Sequence, residues 1–358
     1  MIERLLALPV TSPITPSLSQ RQMGDLPVIV IDHPKVRAAV SFQGAQVLAW
    51  QPAGSEQPGL WLSENSAFTP GVAIRGGIPV CWPWFGPVQA PSHGFARIMQ
   101  WEFTAHNENE ESVFLTFTLR DSAETRKLWP HEFTLIARIR LGDTCEVELE
   151  AYGQYQATAA LHTYFTVGDI AQVSISGLGQ HLLDNLSQRE EYTEETKLVF
   201  NGRTDRIYTE PEQSTYIHDK KLKRHIEVVH FHHSDVVCWN PGAALSASMA
   251  DMPDDGYKTM VCAESARINR PMAPQGDKPS HLSVRIRLNP KIGRRAAQEH
   301  IKPVNAYRLS YTVVSSGESN TATGEITVSF SGTAFPYRSF IFACTSGEDK
   351  SNSRNVCN

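Results

Sequence analysis

Apolar and polar residues alternate with a period of two along most of this chain, and helical periodicity is almost absent. This alternation is typical of strands that bury one face. It predicts an all-β fold, most simply one large antiparallel β-sandwich. The predicted strands cover residues 28–31, 36–50 (with a turn or bulge at Gly44), 112–119, 133–141, 144–152, 159–167, 173–175, 225–233, 235–239, 258–264 and 282–288.

Three local features refine this prediction. Gly142 and Asp143 separate two predicted strands and favour a tight two-residue hairpin turn. Residues 190–197 are the best helical candidate, although the pattern there is weak. After Leu288 the sequence becomes rich in Ser, Thr, Asn, Gly and Arg, so we expect residues 289–358 to be a C-terminal extension of a domain formed by residues 1–288. That extension is either disordered or adds an edge strand.

Residues 73–97, AIRGGIPVCWPWFGPVQAPSHGFAR, interrupt the alternation with four glycines and four prolines. Proline and glycine disfavour both a helix and a continuous strand, so this stretch is predicted to be a long irregular loop. Long loops in compact domains are usually functional, which favours a substrate-binding loop. The alternative is a structural loop that closes one end of a sheet. The candidate polar groups are Arg75, His93 and Arg97, and the candidate walls are Trp82, Trp84 and Phe85.

Composition excludes several classes of protein. A net charge of -5 and a pI near 6.2 argue against a general binder of nucleic acid or of anionic membranes. The N-terminal apolar run is too short for a signal peptide, and no stretch is long enough to span a bilayer. The six cysteines are scattered without a CxxC pair, and four lie in apolar strand-like runs. These features predict a reduced, cytoplasmic protein.

Two predicted strands carry residues suited to acid–base chemistry. In the strand 159–167, His162 and Tyr164 share the less apolar face, which suits a cleft. The alternative is a sheet histidine that is simply hydrogen-bonded. Glu264 ends an apolar strand, where a buried carboxylate is costly unless it is paired or functional. It could equally point to solvent.

Other polar residues are less specific. Asp205 could orient a ligand hydroxyl, although an aspartate in such a turn often binds its own backbone. His230, His232 and His233 could suggest a metal site, but no carboxylate or cysteine completes a ligand set with convincing spacing. The sequence contains no P-loop, no GxGxxG after a strand, no GxSxG and no zinc motif.

The combined motifs resemble the hexose-6-phosphate mutarotases, also called glucose-6-phosphate 1-epimerases, a branch of the aldose 1-epimerase (galactose mutarotase-like) superfamily. The resemblance rests on RGGIPVCWPWFG, HGFAR, LHTYF and VCAE, in this order, and it spans about residues 20 to 288. It implies a single large antiparallel β-sandwich, the galactose mutarotase-like supersandwich, with the sugar on its concave face.

The resemblance also implies roles for individual residues. His162 of LHTYF and Glu264 of VCAE correspond to the catalytic pair. The positions implied to bind substrate are Arg75, His93, Arg97 and Asp205. The tail after Leu288 departs from the family, whose members generally end near that point.

Interconversion of α and β anomers requires one base and one acid near the hemiacetal, each within hydrogen-bond reach. We expect an ionised Glu264 to accept the proton of the C1 hydroxyl. His162, whose charged form a nearby carboxylate would favour, is expected to protonate the ring oxygen. This chemistry needs no metal and no other cofactor.

Two alternative functions stay open. An aldose 1-epimerase for free sugars would have no use for two arginines in the pocket. A non-catalytic carbohydrate-binding module would not need an acid and a base at one anomeric centre. We expect a cytoplasmic monomer whose partner is a small sugar phosphate, with no nucleic-acid or membrane partner.

Overall fold

A computed structural model describes residues 1–289 of the chain. Apart from Asn289, the predicted C-terminal extension lies outside the described residues, and the division into residues 1–288 and 289–358 stays a prediction. Within residues 1–289, no helix is long and apolar enough to cross a membrane. The helices are α1 (Ile2–Leu6), α2 (Ala123–Leu128) and α3 (Gly242–Ser248), with 3-10 turns at Ala96–Ile98, Ile170–Gln172 and Gly256–Thr259.

Strands make up most of the described chain, as the alternation predicts. They are, in chain order, β1 (Val10–Pro13), β2 (Leu18–Met23), β3 (Leu26–His33), β4 (Val36–Ser41), β5 (Gln46–Pro52), β6 (Val80–Cys81), β7 (Glu102–Glu108), β8 (Ser112–Arg120), β9 (Phe133–Gly142), β10 (Thr144–Gln154), β11 (Ala157–Leu161), β12 (Tyr164–Thr166), β13 (Val173–Ser176), β14 (His181–Asp184), β15 (Arg189–Tyr192), β16 (Lys197–Val199), β17 (Thr204–Tyr208), β18 (Ser214–Asp219), β19 (Arg224–Phe231), β20 (Asp235–Asn240), β21 (Met260–Met272) and β22 (Gln275–Leu288).

The strands form three antiparallel sheets, which confirms the predicted all-β class. A five-stranded sheet has the order β1-β2-β3-β4-β5. A nine-stranded sheet has the order β16-β13-β18-β19-β22-β10-β9-β8-β7. An eight-stranded sheet has the order β15-β14-β17-β20-β21-β11-β6, with β12 also paired to β21. The long strand β21 is therefore the common partner of β11, β12 and β20.

One continuous apolar core joins all three sheets. Ile29 of β3, Leu115 of β8 and Ala263 of β21, one residue from each sheet, all belong to it. The buried His230 of β19 also connects two sheets, because its ring contacts the hydroxyl of Ser265 in β21 at 2.7 Å. This packing against a large buried core holds the eight-stranded sheet in a fixed position.

Two local predictions are wrong. Residues 190–197 form no helix, because the chain there contributes β15, paired with β14, and the start of β16, paired with β13. The hairpin between β9 and β10 is not a two-residue turn, since Leu141 pairs with Cys145 and leaves three residues between them. Gly142 also pairs with Ser112 of β8, so it stays extended and takes part in the sheet.

The irregular stretch 73–97 is a loop, as predicted, with only β6 and one 3-10 turn. Two of its three expected wall residues instead belong to the core. Trp84 is buried against Phe95, with ring centroids 5.9 Å apart. Trp82 is fully buried, and its ring packs edge-on at 4.7–5.7 Å against Phe95, Trp129, Phe133 and Tyr155. The loop is thus anchored through these tryptophans, which supports the structural interpretation for this part of it, and its role in binding substrate stays a prediction.

The four cysteines of the described residues are free and buried. They are Cys81, Cys145, Cys238 and Cys262. All four lie in strands, so they pack as small apolar side chains, as the sequence predicts.

A chain that ends at Lys291 is expected to fold, because Met1–Lys291 forms a compact unit that contains every strand of the three sheets. Its melting temperature and far-ultraviolet circular dichroism should match those of the full chain. The matched control ends at Pro274 and lacks β22, which lies between β10 and β19 in the nine-stranded sheet. That control should aggregate, because two internal strands become exposed edges. Insolubility of the Lys291 truncation would show that the extension is needed for folding.

Candidate active site

His162 and Glu264 face each other because of the register of β21 against two strands. Leu161 of β11 pairs with Ser265, and Tyr164 of β12 pairs with Cys262. The residues between these two pairs, including His162 and Glu264, therefore lie opposite one another. His162 Nδ1 is 3.3 Å from Glu264 Oε1, and the two residues are only 6% and 1% exposed. The structure thus brings the predicted catalytic pair into contact.

Aromatic rings surround His162 on two sides. The ring of Tyr164 stacks parallel to it, with centroids 4.8 Å apart and planes inclined by 8°. The indole of Trp239, from β20, meets it edge-on at 6.1 Å. Trp61 stacks in turn on Tyr164 at 6.0 Å. These rings come from the eight-stranded sheet and a neighbouring loop, and the sequence analysis did not predict Trp239 or Trp61 here.

His93 brings the irregular loop into the site. Its ring lies 5.6 Å from that of His162 and 4.9 Å from that of Phe85. The backbone N–H of Gly86 donates to His93 Nδ1 at 3.2 Å, so Nε2 carries the proton of the neutral ring. Burial lowers the pKa of His93 to about 3, and the positive charges of Arg97 and Arg75 contribute to the shift. His93 is therefore a neutral group that can donate a hydrogen bond from Nε2.

The backbone at this histidine requires the glycine of HGFAR. His93 has φ of 63° and Gly94 has φ of 72°, both in the left-handed region. A Cβ at Gly94 would lie 2.0 Å from the carbonyl oxygen of Trp82. No other residue type fits that contact, so the motif glycine sets the position of His93 through close backbone packing.

Arg75 is fixed by a carboxylate and a phenol. Its Nε donates to Asp251 Oδ2 at 3.0 Å, and its Nη2 lies 2.9 Å from the same oxygen. Its Nη1 donates to the hydroxyl of Tyr164 at 3.0 Å. Burial opposes the charge of Arg75, but Tyr164 and Asp251 outweigh it and raise its pKa above the ordinary value. Arg75 is therefore a permanently charged group, held in place beside the ring that stacks on His162.

Arg97 is bonded differently. Its Nη2 donates to the backbone oxygen of Ser92 at 2.8 Å. Its buried Nε has no hydrogen-bond partner, and within residues 1–289 it forms no ion pair with any carboxylate. Its charge lowers the pKa of both His162 and His93, which indicates that it lies within electrostatic range of both rings. Arg97 thus retains donors for a ligand.

Asp205 also belongs to this face of the eight-stranded sheet. It pairs with Trp239 between β17 and β20, and its Oδ1 accepts a hydrogen bond from Asn185 Nδ2 at 2.8 Å. Its charge adds to the pKa shift of Glu264, so the two carboxyl groups are near one another. The side chain of Asn185 therefore holds Asp205 in place. The structure does not contain the expected alternative, in which Asp205 accepts a hydrogen bond from its own backbone.

The three histidines 230, 232 and 233 do not form a ligand set. His230 Nδ1 contacts Ser265 Oγ at 2.7 Å, and its Nε2 contacts Thr215 Oγ1 at 3.1 Å. Both ring nitrogens are therefore occupied by hydroxyl groups. Burial lowers the pKa of His230 to about 3, so this ring is a neutral connector between two sheets.

The sequence analysis missed Asp251, which follows α3. Asp251 lies 176 positions after its partner Arg75, and the acidic stretch around it carries no spacing that would predict the pair. Ser63 also donates to the backbone oxygen of Asp251 at 2.6 Å, so this loop is held from two directions. Only the folded chain shows which acidic residue meets the arginine.

Comparison with known proteins identifies the family of this chain. A family model described as aldose 1-epimerase matches residues 27–282. The chain belongs to the aldose 1-epimerase family. A Salmonella typhimurium protein, named as a proposed glucose-6-phosphate 1-epimerase, is 53% identical over 290 residues, which cover 80% of this chain and 98% of the relative. An Escherichia coli protein of the same name is 51% identical over 292 residues, covering 80% and 99%.

The fold agrees as well. The crystal structure of a proposed mutarotase from Salmonella typhimurium is similar with a TM-score of 0.79 and 52% identity, and the match covers 81% of this chain and 99% of the other. The resemblance inferred from the four motifs is therefore confirmed. As a member of the aldose 1-epimerase family, the protein is an isomerase that acts on the anomers of a sugar.

In this aldose 1-epimerase, burial sets the protonation of the pair. Burial lowers the pKa of His162 well below its ordinary value, and the charges of Arg97 and Arg75 act in the same direction. Burial also raises the pKa of Glu264 well above its ordinary value, an effect that Asp205 increases and Arg97 opposes. Both shifts oppose the expected pairing of an ionised Glu264 with a charged His162 in the free enzyme. They favour a neutral carboxylic acid beside a neutral imidazole.

Glu264→Gln is expected to stabilise this epimerase increasingly as the pH rises. Because the pKa of Glu264 is higher in the folded protein, the folded state binds more protons than the unfolded one, and stability falls as pH rises from about 4.3 towards the folded pKa. Glutamine does not titrate and avoids this loss. The difference in melting temperature between variant and wild type should therefore be more positive at pH 8 than at pH 5.

The control is Glu111→Gln, which removes an exposed carboxylate paired with Lys35. Exposed ion pairs contribute little, so this variant should follow the wild-type pH dependence. A melting-temperature difference for Glu264→Gln that is the same at both pH values would contradict the raised pKa.

Proposed function

We propose that this epimerase interconverts the α and β anomers of a hexose 6-phosphate, with His162 and Glu264 as the acid–base pair. The observation that carries the proposal is a buried acid–base pair next to Arg97, a charged side chain with unused donors. A phosphate dianion is the ligand that a guanidinium group binds best. The names of the two bacterial relatives support the same substrate class.

The two side chains share one exchangeable proton, the acidic proton of Glu264. The reaction requires one such proton, because it needs one acceptor and one donor at the same time. Once a side-chain rotation aligns Oε1 with Nδ1, which lie 3.3 Å apart, a single proton transfer converts the neutral pair into a carboxylate and an imidazolium. In that form Glu264 accepts the proton of the C1 hydroxyl, and His162 donates to the ring oxygen. The ring opens to the aldehyde, C1 rotates about its bond to C2, and closure reverses both transfers. The pair then holds its original proton.

Burial makes both groups more reactive in this form. A carboxylate whose pKa is raised is a stronger base than one in water, and an imidazolium whose pKa is lowered is a stronger acid. Each shift therefore favours the proton transfer that its residue performs. The stacked Tyr164 holds the imidazole in a single orientation during the exchange.

The two arginines have different roles in this proposal. Arg97 binds the phosphate, because its Nε is buried without a partner and no carboxylate of the described chain neutralises it. Arg75 is bound by Asp251 and Tyr164, so its first role is to orient the wall beside His162. His93 and Asp205 supply a donor and an acceptor for sugar hydroxyls. An epimerase for free aldoses would leave Arg97 without a function.

Replacement of either member of the pair should reduce anomerisation at least about a hundredfold, the usual scale for a positioned acid or base. The variants are Glu264→Gln and His162→Gln. The matched control is Glu148→Gln, which breaks another Glu–His contact, the one of 3.0 Å between Glu148 and His281 in the nine-stranded sheet. Exchange NMR between the anomers of glucose 6-phosphate measures all three rates. Near-wild-type turnover in either active-site variant would reject the assignment.

Arg97→Ala should selectively weaken the phosphorylated substrate. Loss of a hydrogen bond to a charged group costs about 1.5–3 kcal/mol, or roughly 10- to 150-fold in kcat/KM for glucose 6-phosphate. The rate for free glucose should change little, because it has no phosphate to lose. The same NMR experiment with both sugars gives the ratio. Equal losses for both sugars would assign Arg97 to the scaffold.

Arg75→Ala is the comparison variant. It leaves Asp251 and the Tyr164 hydroxyl without their partner. We expect it to reduce turnover of both sugars and to lower the melting temperature, while Asp251→Asn gives a smaller change in the same direction. A loss confined to glucose 6-phosphate in Arg75→Ala would instead make Arg75 a second phosphate ligand.

A further inference from the structure

Cys262 is a third potential ligand beside the acid–base pair. It lies two residues before Glu264 on β21, so both side chains project from the same face of the strand. The imidazole nitrogen of His162, the sulfur of Cys262 and a carboxylate oxygen of Glu264 all lie within 4.8 Å of one another. All three residues are buried. The proposed epimerase reaction gives Cys262 no role.

Two atoms of this cluster lack a partner. His162 Nδ1 and Glu264 Oε2 are both buried without a hydrogen bond. The 3.3 Å between Nδ1 and Oε1 is within reach, yet the two groups are not aligned for a hydrogen bond. Buried polar atoms without partners are costly, so the cluster has unused capacity for a ligand.

The spacing suits a tetrahedral metal ion. Zinc binds histidine nitrogen and carboxylate oxygen at about 2.0–2.1 Å, which separates two such ligands by about 3.3 Å in a tetrahedron. This equals the separation of Nδ1 from Oε1. Sulfur, bound at about 2.3 Å, would need to come within about 3.6 Å of the other two ligand atoms, a movement of at most about 1.2 Å, since all three atoms now lie within 4.8 Å of one another.

Charge favours a divalent ion with affinity for sulfur. One carboxylate and one thiolate together neutralise a divalent cation, and a neutral complex avoids the cost of burying net charge. Thiolate and imidazole select zinc-like ions, whereas magnesium prefers oxygen ligands and keeps its water. Three protein ligands would leave the fourth position to a water molecule.

We propose that His162, Cys262 and Glu264 form a binding site for a zinc-like divalent ion, and that occupation of this site inhibits the epimerase. The inhibition rests on the proposed function, because the ion would occupy the two groups that exchange protons with the sugar. The binding itself does not rest on it. The ion is therefore an inhibitor that competes with the sugar phosphate.

The binding test uses Co²⁺, which replaces zinc and absorbs near-ultraviolet light when a thiolate binds it. The full-length wild type should develop this absorption on titration with Co²⁺, and added Zn²⁺ should abolish it. Cys262→Ala should lose it, whereas Cys238→Ala, a buried cysteine on the neighbouring strand β20, should keep it. All other cysteines and histidines remain in both variants, so any signal that survives in Cys262→Ala arises elsewhere.

The inhibition test uses buffered free Zn²⁺ with glucose 6-phosphate, each variant being compared with its own metal-free rate. The zinc concentration for half-inhibition should rise at least about tenfold in Cys262→Ala and stay unchanged in Cys238→Ala. Mg²⁺ at the same concentrations should not inhibit. Cys262→Ser, with a melting temperature measured alongside, provides a second variant in case alanine disturbs folding.

The outcomes separate the two proposals. Co²⁺ absorption that depends on Cys262 supports the metal site even if the protein turns over no hexose phosphate. The metal site alone is overturned if turnover is normal and the wild type shows no such absorption. It is also overturned if turnover is normal and the absorption survives in Cys262→Ala and Cys262→Ser. Equal inhibition by Mg²⁺ and Zn²⁺ would also overturn it.

Discussion

The pairing of β21 with β11 and β12 is the constraint on which the site depends. A sheet register shifted by one residue would turn Glu264 to the opposite face, because side chains alternate along a strand. The register is held from the other face by Ser265, which pairs with Leu161 and contacts His230 of the nine-stranded sheet. The core between the sheets therefore determines where the carboxyl group lies relative to His162.

Burial of this pair has two consequences that follow from one cause. Removal from water disfavours both charges, so it favours a neutral carboxylic acid and a neutral imidazole in the free enzyme. The same removal increases the strength of the base and of the acid once the proton has crossed between them. In the proposed reaction the epimerase needs only this exchange, since each turnover returns the pair to its starting state.

The irregular loop combines anchoring residues with candidate site residues within one segment. Trp82 and Trp84 hold it in the core, and Gly94 lets the backbone approach Trp82 closely enough to turn His93 towards His162. Arg75 and Arg97 stand near its two ends, but only Arg75 has a carboxylate partner within the described chain. One irregular segment thus contains an arginine paired with a carboxylate, Arg75, and an arginine whose buried Nε has no hydrogen-bond partner, Arg97.

The sequence by itself determined the fold class, the strand positions in outline, the irregular loop and the identity of the catalytic candidates. These follow from local alternation, from the conformational limits of proline and glycine, and from motifs that span a few residues. Local pattern could not exclude a helix at residues 190–197, where exposed edge strands carry no clear alternation. Only the tertiary structure decided the direction of the pKa shifts of His162 and Glu264, the core position of Trp82 and the pairing of Arg75 with Asp251, because burial and long-range contacts depend on segments far apart in the chain.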